Sequence, residues 1–360
     1  MDHRVAVVGG SGFLGSNLVA ELIQAGFTPV VIARRPEKIA EVLPGLKVET
    51  RPADWADLDR LRSALRGCAV VHCVAGAVRE VYGSSSSDRF RATVQENVQG
   101  LLNVLRAARE VGARRVVVAS TCVIRYRPGS VLINEESPLP DPSVLDDTYV
   151  RTKAAQDAAI KAFVQETAFQ VISIMPGGVV GPRDAGPSPL GQSLLDFLNG
   201  RLPVGIQGSF PIVDVRDVAR AHIVAMDRGV PGRSYLMVAR TVTLREWFAI
   251  LSRITGLPTP RVFVPASIAL PAARLAEILA QVTHSVPVFT CNQIQQLVLP
   301  RQYDSSRAQR ELGIVFTPLE TTARDAIQWY VEKGRVSQTR ELVPLAANMH
   351  NAGSSPGADK

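Results

Sequence analysis

Five short runs rich in valine and isoleucine, separated by amphipathic stretches, constrain the fold of this chain more than any other feature. A buried parallel strand forms a continuous apolar run, and successive parallel strands need a crossover that is usually helical. The alternation therefore predicts an α/β fold with a doubly wound parallel sheet covered by helices on both faces. The runs occupy residues 5–9, 29–33, 69–74, 115–120 and 171–175.

The first run leads into a glycine-rich segment, VVGGSGFLG, in which Gly9, Gly12 and Gly15 recur at three-residue intervals. Leucines at every fourth position then predict a helix over residues 13–25. In Rossmann-type sheets, a strand, a glycine turn and a helix N-terminus with free N–H groups together hold the pyrophosphate of a dinucleotide. Such a turn also occurs for packing alone, so the cofactor interpretation depends on its place after the first strand.

The second run ends in Arg34 and Arg35, and the first carboxylate after them belongs to Glu37. Sites for NAD usually carry an aspartate or glutamate here, which accepts hydrogen bonds from the ribose hydroxyls. Guanidinium groups instead suit the 2′-phosphate of NADP, through charge and paired hydrogen bonds. The sequence therefore favours NADP over NAD, with two solvated surface arginines as the alternative.

Tyr149 and Lys153 lie four residues apart in a helical pattern, within the segment DDTYVRTKAAQ. This spacing places both side chains on one helix face. A phenol with a pKa of about 10 exchanges protons poorly at neutral pH, and a neighbouring ammonium favours its ionised form. We expect Lys153 to lower the pKa of Tyr149 and to hold the nicotinamide ribose. Alone, the pair is also compatible with an exposed helix face.

The fourth run ends in Ser120 and Thr121. A hydroxyl at the end of a buried strand can hydrogen-bond a reacting carbonyl and polarise it. The alternative is a strand end at which small polar residues merely satisfy the backbone. Because the glycine turn precedes this strand end and the Tyr149–Lys153 pair follows it, we expect the hydroxyl to act on a substrate oxygen.

These motifs together resemble the extended short-chain dehydrogenase/reductase superfamily, also called the NAD-dependent epimerase/dehydratase family, from the glycine turn to about residue 330. The resemblance implies that Tyr149, Lys153 and Thr121 are catalytic, with Thr121 rather than Ser120 as the reactive hydroxyl. It also implies cofactor contacts in the glycine turn, at the two arginines, in PADW, VVHCVAG and ENVQG, and around the Pro-Gly segment. The implied cofactor residues are Gly9, Gly12, Phe13, Leu14, Gly15, Arg34, Arg35, Asp54, Trp55, Val74, Ala75, Asn97, Ser120, Tyr149, Lys153, Pro176 and Val179.

The segments PGGVVGPRDAGPSPLGQSLLDFLNGRLP and IVDVRDVARAHIVAMDRGVPGRSYLM are similar to the dihydroflavonol reductase-like branch, which lies near the 3β-hydroxysteroid dehydrogenases. The chain departs from the family at Arg125, where a tyrosine is usual, and at Met175, where an arginine is usual. Both departures lie on the substrate side. We expect the substrate pocket to involve the segment 78–90, in which VYGSSSSDRF is a flexible flap, together with Arg125, Ser188, Leu190 and Phe210.

The resemblance leaves several activities to compare. Sugar epimerases hold NAD(P) tightly and use an arginine to grip a diphosphate, but VGIQGSFPIVDVRD has no equivalent grip. Dehydratases carry an Asp-Glu pair after the threonine, where this chain has Cys122 and Val123. The remaining activity is hydride transfer between NADP and the carbonyl or secondary alcohol of a substrate. That substrate is expected to be small and largely apolar, such as a ketone, an aldehyde, or a steroid-like or polyketide-like molecule. An epimerase and a non-catalytic NADP-binding sensor or scaffold are the alternatives.

The composition of the chain argues against several classes of binding partner. The net charge is +7, but the basic residues are scattered without aromatic interleaving, which argues against nucleic acid. Four cysteines without CxxC spacing and five scattered histidines predict a reducing cytoplasm and no metal site. The apolar stretch 262–282 contains two prolines and two charges, so we expect no membrane span, with interfacial contact as a minor alternative. In relatives, helices like 90–110 and 148–168 pair in a homodimer.

The domain organisation follows from where the alternation ends. We expect a dinucleotide-binding domain over residues 1–176, to which later segments return, and a substrate lobe over residues 177–333. The tail 334–360 is polar and rich in glycine, serine and proline, which predicts disorder.

Overall fold

The main sheet contains seven parallel strands. The computed structural model describes residues 4–76, 87–129, 132–141, 147–283 and 291–337. The seven strands are β1 (Arg4–Val8), β2 (Thr28–Ala33), β3 (Glu49–Pro52), β4 (Val70–Cys73), β5 (Arg115–Ala119), β7 (Gln170–Pro176) and β11 (Ser234–Met237). Their order across the sheet is β3-β2-β1-β4-β5-β7-β11, so the strand order reverses between β1 and β4. The predicted doubly wound parallel sheet is confirmed.

The five predicted strands are present within one residue or two of their expected bounds. They are almost fully buried, which explains their continuous apolar sequence. Two strands of the sheet were not predicted. The edge strand β3 has the sequence ETRP and lies largely exposed, and β11 comes from the later part of the chain and pairs with β7.

Short strands form three further sheets. These strands are β6 (Leu132–Ile133), β8 (Gly178–Val180), β9 (Val204–Ile206), β10 (Ser209–Asp214), β12 (Arg240–Thr243), β13 (Val262–Val264) and β14 (Gln302–Tyr303). One sheet has the order β12-β10-β8, and the other two are the pairs β13-β9 and β14-β6.

Helices cover the sheet and build the later part of the chain. They are α1 (Phe13–Gln24), α2 (Ile39–Val42), α3 (Leu58–Leu65), α4 (Ser87–Glu110), α5 (Thr148–Thr167), α6 (Pro189–Leu198), α7 (Val215–Ala225), α8 (Leu244–Thr255), α9 (Ala266–Thr283), α10 (Cys291–Val298), α11 (Ser306–Leu312) and α12 (Leu319–Glu332). No helix within these described ranges is long and apolar enough to cross a membrane.

The later part of the chain has its own apolar core. This cluster, here called the 180–336 core, draws all its buried residues from between Val180 and Val336, including Trp247 and Phe248. The clusters against β1 to β5 are built mainly from earlier residues, with α7 returning to pack on α1. The predicted tail falls almost entirely on residues 338–360, which lie outside the described residues.

Candidate active site

The glycine turn lies where β1 meets the adjacent end of β4. Gly9 has φ of +88°, a conformation that side chains disfavour, and a Cβ there would lie 2.7 Å from the backbone nitrogen of Ala75. A Cβ on Gly15 would overlap the carbonyl oxygen of Gly9. Both positions therefore require glycine for the close approach of backbone segments.

Gly12 differs from the other two glycines. Its φ of −81° and ψ of 179° are open to any residue, and a Cβ would come no closer than 3.4 Å to another part of the chain. Gly12 is also the N-cap of α1, and no side chain caps that end of the helix. The first-turn N–H groups at Phe13 and Leu14 therefore receive no capping side chain at the positive end of the helix. This cradle fits the pyrophosphate of a dinucleotide.

Arg34 and Arg35 follow β2 directly, and both side chains are exposed. Neither guanidinium forms an ion pair with a described carboxylate. Asp54, beyond the end of the neighbouring β3, accepts the N–H of Ala56 at 3.0 Å. Trp55 packs against α4, where a Cβ on Gly100 would lie 2.6 Å from its ring. The two arginines thus follow β2, and Asp54 follows the adjacent edge strand β3, at the same end of the sheet.

Asn97 lies on α4, where its side-chain amide donates to the carbonyl of Thr93 at 2.9 Å. Its own carbonyl accepts a hydrogen bond of 2.9 Å from Gln156 of α5. Both Asn97 and Gln156 are buried. These contacts join α4 to the helix that carries the Tyr149–Lys153 pair.

Tyr149 and Lys153 lie on α5 as predicted, facing the end of β5. The phenol of Tyr149 shares a hydrogen bond with the hydroxyl of Thr121, which is 5% exposed. Lys153, one turn further along, donates from Nζ to the carbonyl oxygen of Ala119 at 3.4 Å. The structure therefore brings together all three residues that the resemblance implies to be catalytic.

The electrostatics of this group differ from the expectation. Burial raises the pKa of Tyr149 to about 12, although the hydrogen bond with Thr121 acts in the opposite direction. Burial lowers the pKa of Lys153, while the nearby Cys73 acts to raise it. The expected lowering of the Tyr149 pKa is thus not found, because the Lys153 ammonium bonds to Ala119 and the phenolate would be desolvated.

The remaining predicted cofactor residues line the same strand ends. The N–H of Val74 continues the pairing of β4 with β1, donating to Val8 at 2.9 Å, and the N–H of Ser120 donates to Ile174 at 2.7 Å. Pro176 ends β7, the next strand along.

Val179 and Leu14 of α1 both pack against the same apolar cluster, which includes Val117, Ile172 and Val213. Asn17 of α1 donates to the carbonyl of Pro182 and accepts from Arg183, each at 2.9 Å. The Pro-Gly segment is therefore attached to the helix that follows the glycine turn.

Two of the expected pocket residues converge. A Cβ on Gly178 would lie 2.5 Å from Leu190 and 3.7 Å from the Phe210 ring, so both side chains pack over β8. The hydroxyl of Ser188 instead caps α6, accepting from Gly191, and donates to Asp184.

The expectation that Arg125 lines the substrate pocket is wrong. Its guanidinium is 5% exposed and pairs with the buried Asp157 of α5 at 3.0 Å, while its Nε donates to the carbonyl of Glu135. Asp157 is eight residues from Tyr149, or about 12 Å along the helix axis. A buried guanidinium needs a carboxylate partner, and this requirement directs Arg125 away from Tyr149.

The predicted flap falls mostly outside the described residues, which omit 77–86. Its last residues, Ser87 to Phe90, form the first turn of α4 instead of continuing a loop. No group of three potential metal ligands occurs in the described part of the chain.

Three residues near Tyr149 were missed by the sequence analysis. Asp147 caps α5 by accepting the N–H of Tyr149 at 2.7 Å, and Gln296 of α10 donates to its other oxygen at 3.1 Å. The buried Arg301 donates to the carbonyl of Gln296 at 2.7 Å. An aspartate just before a helical pattern is an N-cap signal, so Asp147 was predictable, whereas no local pattern marks the other two.

The sequence matches the model of the NAD dependent epimerase/dehydratase family over residues 5–237. It is 32% identical over 339 residues to sterol demethylase protein B of Methylococcus capsulatus, covering 92% of this chain and 99% of that protein. It is 30% identical over 337 residues to a putative dihydroflavonol 4-reductase of Synechocystis, covering 92% and 95%.

Among solved structures, the fold is similar to the crystal structure of gox2253, with a TM-score of 0.79 and 27% identity. The match covers 93% of this chain and 100% of that one. The family match extends from β1 to β11 and so includes the whole parallel sheet. The chain therefore belongs to the NAD dependent epimerase/dehydratase family, whose members work with a nicotinamide cofactor.

Proposed function

We propose that the chain is an NADP-dependent oxidoreductase that transfers hydride between the nicotinamide and the carbonyl or secondary alcohol of a small, largely apolar substrate. The observation that carries the proposal is the hydrogen bond between Tyr149 and Thr121, one helical turn from the buried Lys153. This group lies at the same end of the sheet as the glycine turn, as enzymes with doubly wound sheets require.

Tyr149 supplies the proton in the reduction. Because burial raises its pKa to about 12, the phenol is protonated throughout the neutral range and acts as an acid. Thr121 and Tyr149 both donate hydrogen bonds to the substrate carbonyl oxygen, which polarises the carbonyl and fixes its position. The phenol proton then moves to that oxygen, and the C=O bond becomes a C–O single bond.

Lys153, whose Nζ donates to the carbonyl oxygen of Ala119 one helical turn from Tyr149, would orient the ribose of a bound cofactor. A bound nicotinamide supplies the hydride that reaches the carbonyl carbon, or removes one from the alcohol in the reverse direction. The first-turn N–H groups that follow Gly12 would hold the pyrophosphate, Pro176 and Val179 would border the nicotinamide end, and Asp54 would contact the adenine.

Arg34 and Arg35 determine the preference for NADP. Both are exposed at the end of β2 without an ion-pair partner among the described residues, so both guanidinium groups are available to a phosphate. A carboxylate that would accept hydrogen bonds from an unmodified ribose is missing from this position in the sequence.

The lobe formed by the 180–336 core provides the substrate side. Leu190 is partly buried and packs over β8 next to the Pro-Gly segment, with the buried Phe210 beneath it, so the accessible side chain here is apolar rather than charged. The names of the two relatives, a sterol demethylase component and a dihydroflavonol reductase, support a polycyclic apolar substrate. We therefore place steroid-like and polyketide-like ketones ahead of sugar nucleotides.

The test is to incubate the protein with NADPH or NADH and a panel of ketones, aldehydes and hydroxysteroids, following nicotinamide absorbance. The proposal expects substrate-dependent turnover with a preference for NADPH. Binding of NADPH without turnover on any substrate would favour the sensor or scaffold. Interconversion of a UDP-sugar without net change in the cofactor would favour the epimerase.

A further inference from the structure

The outer side of α9 carries a row of exposed apolar side chains. Ile268, Leu275 and Ile278 are 58%, 58% and 55% exposed, although the opposite side of the helix buries Ala269 and Ala273 in the 180–336 core. Leu275 and Ile278 follow Ile268 by seven and ten residues, so all three side chains lie on the same face of the helix. Single exposed apolar residues are ordinary, but a row on one face marks an interaction site.

Two more exposed apolar side chains lie on the two-stranded sheet whose strand β13 precedes α9 in the chain. Val262 of β13 is 54% exposed, and its partner in register, Val204 of β9, is 45% exposed. Pro265 alone separates β13 from α9 in the chain. Five large apolar side chains thus lie exposed on three adjoining elements.

The exposed charges of these elements have one sign. Arg201, Arg261 and Arg274 are exposed, and none forms an ion pair with a described residue. The one carboxylate in the segments 199–206 and 257–283 is Glu277, and its Oε1 accepts the backbone N–H of Cys291 at 2.8 Å. These segments therefore combine exposed apolar side chains with exposed arginines that form no ion pair with a described residue.

We propose that this face of α9 docks on a membrane surface that contains anionic lipids. The apolar side chains enter the boundary between headgroups and acyl chains, and the arginines reach the lipid phosphates. A second copy of the chain fits less well, because a two-fold interface would bring the same unpaired arginines of both copies close together. The proposal rests on this surface alone and does not depend on the proposed reaction.

The test is co-sedimentation of the full chain with vesicles of phosphatidylcholine alone, or of phosphatidylcholine mixed with phosphatidylglycerol. We expect binding to the mixed vesicles that weakens at high salt. The double variant Leu275→Glu/Ile278→Glu should bind at least about tenfold more weakly. Val315→Glu replaces a side chain that is 82% exposed on another segment and should bind as the wild type does.

The arginines are tested separately. Arg274→Ala should weaken binding to the mixed vesicles by roughly fivefold, whereas Arg66→Ala, at an exposed arginine of the first half of the chain, should not. Circular dichroism confirms that each variant is folded. The proposal is wrong if the wild type binds neither kind of vesicle, or if the double variant binds equally well. Conversion of a dimer into a monomer by the double variant, without vesicle binding by the wild type, would assign the face to self-association instead.

Discussion

The side-chain amide of Gln296 donates a hydrogen bond of 3.1 Å to Oδ2 of Asp147, whose Oδ1 accepts the backbone N–H groups of Tyr149 and Val150. One buried carboxylate thus links α10, which packs on the 180–336 core, to the first turn of the helix that carries Tyr149. The position of the phenol therefore depends on a contact from a distant, later part of the chain.

This link predicts a loss of activity in Gln296→Ala. The substitution removes a hydrogen bond that holds the carboxylate capping the first turn of α5. The phenol is then positioned less firmly, so kcat should fall about tenfold while the Kd for NADPH changes little. Gln192→Ala is the matched control, because it removes an exposed Gln–Asp hydrogen bond on α6. Unchanged kcat in a folded Gln296→Ala protein would show that the link does not position Tyr149.

The glycine turn offers a second pair of matched variants. Gly12→Ala should fold with a loss of about 1 kcal/mol or less, because the position has room and ordinary φ, but it should lose NADPH binding. Gly15→Ala should lower the free energy of unfolding by about 1–3 kcal/mol, because the added methyl overlaps Gly9. Urea unfolding and fluorescence titration with NADPH measure the two effects. Normal NADPH affinity in Gly12→Ala would remove this turn from the cofactor site.

Arg34→Ala should weaken NADPH binding by about tenfold or more and leave NADH binding nearly unchanged. The lost charge-assisted hydrogen bonds to the 2′-phosphate contribute about 1.5–3 kcal/mol. Arg66→Ala serves again as the exposed control. Equal losses for both cofactors would contradict the assigned role of Arg34.

The buried imidazoles of His72 and His222 predict an acid-sensitive fold. Their Nδ1 atoms lie 3.3 Å apart, and burial lowers the pKa of His72 to about 3 and that of His222 below its usual value. The unfolded chain therefore binds more protons below pH ~6.5, so stability is complete above that pH and falls as the pH decreases towards the folded pKa values.

The free energy of unfolding should decrease by about 1.4 kcal/mol per pH unit for each imidazole as the pH falls. Denaturant unfolding between neutral pH and about pH 5 measures this decrease. The double variant His72→Leu/His222→Leu should show a shallower dependence on pH. An identical slope in the variant would mean that other groups control the acid sensitivity.

The sequence alone predicts much of the sheet and the grouping of Tyr149, Lys153 and Thr121. Buried strands such as β1 and β5 can be predicted because both of their faces are apolar. The shared face of Tyr149 and Lys153 follows from their four-residue spacing on a helix. The edge strand β3 was missed because its charged, exposed sequence carries no such signal. β11 was missed because its place in the sheet depends on a long return of the chain.

The surroundings of the site were harder to predict, because they depend on contacts between distant segments. Gln296 donates a hydrogen bond to Asp147, which lies 149 positions earlier in the sequence, and Arg125 donates one to Asp157 on α5. The pKa of Tyr149 depends on how far the folded chain excludes water, which no spacing reveals.

The central claim is that Tyr149 transfers the proton during hydride transfer, and Tyr149→Phe tests it most directly. The variant removes one hydroxyl while keeping the ring that packs in the site. With a substrate found in the panel, the account predicts that kcat falls at least about a thousandfold, in line with the contribution of a positioned acid. It also predicts that the Kd for NADPH stays within a few fold. Turnover near the wild-type rate in Tyr149→Phe would contradict the account.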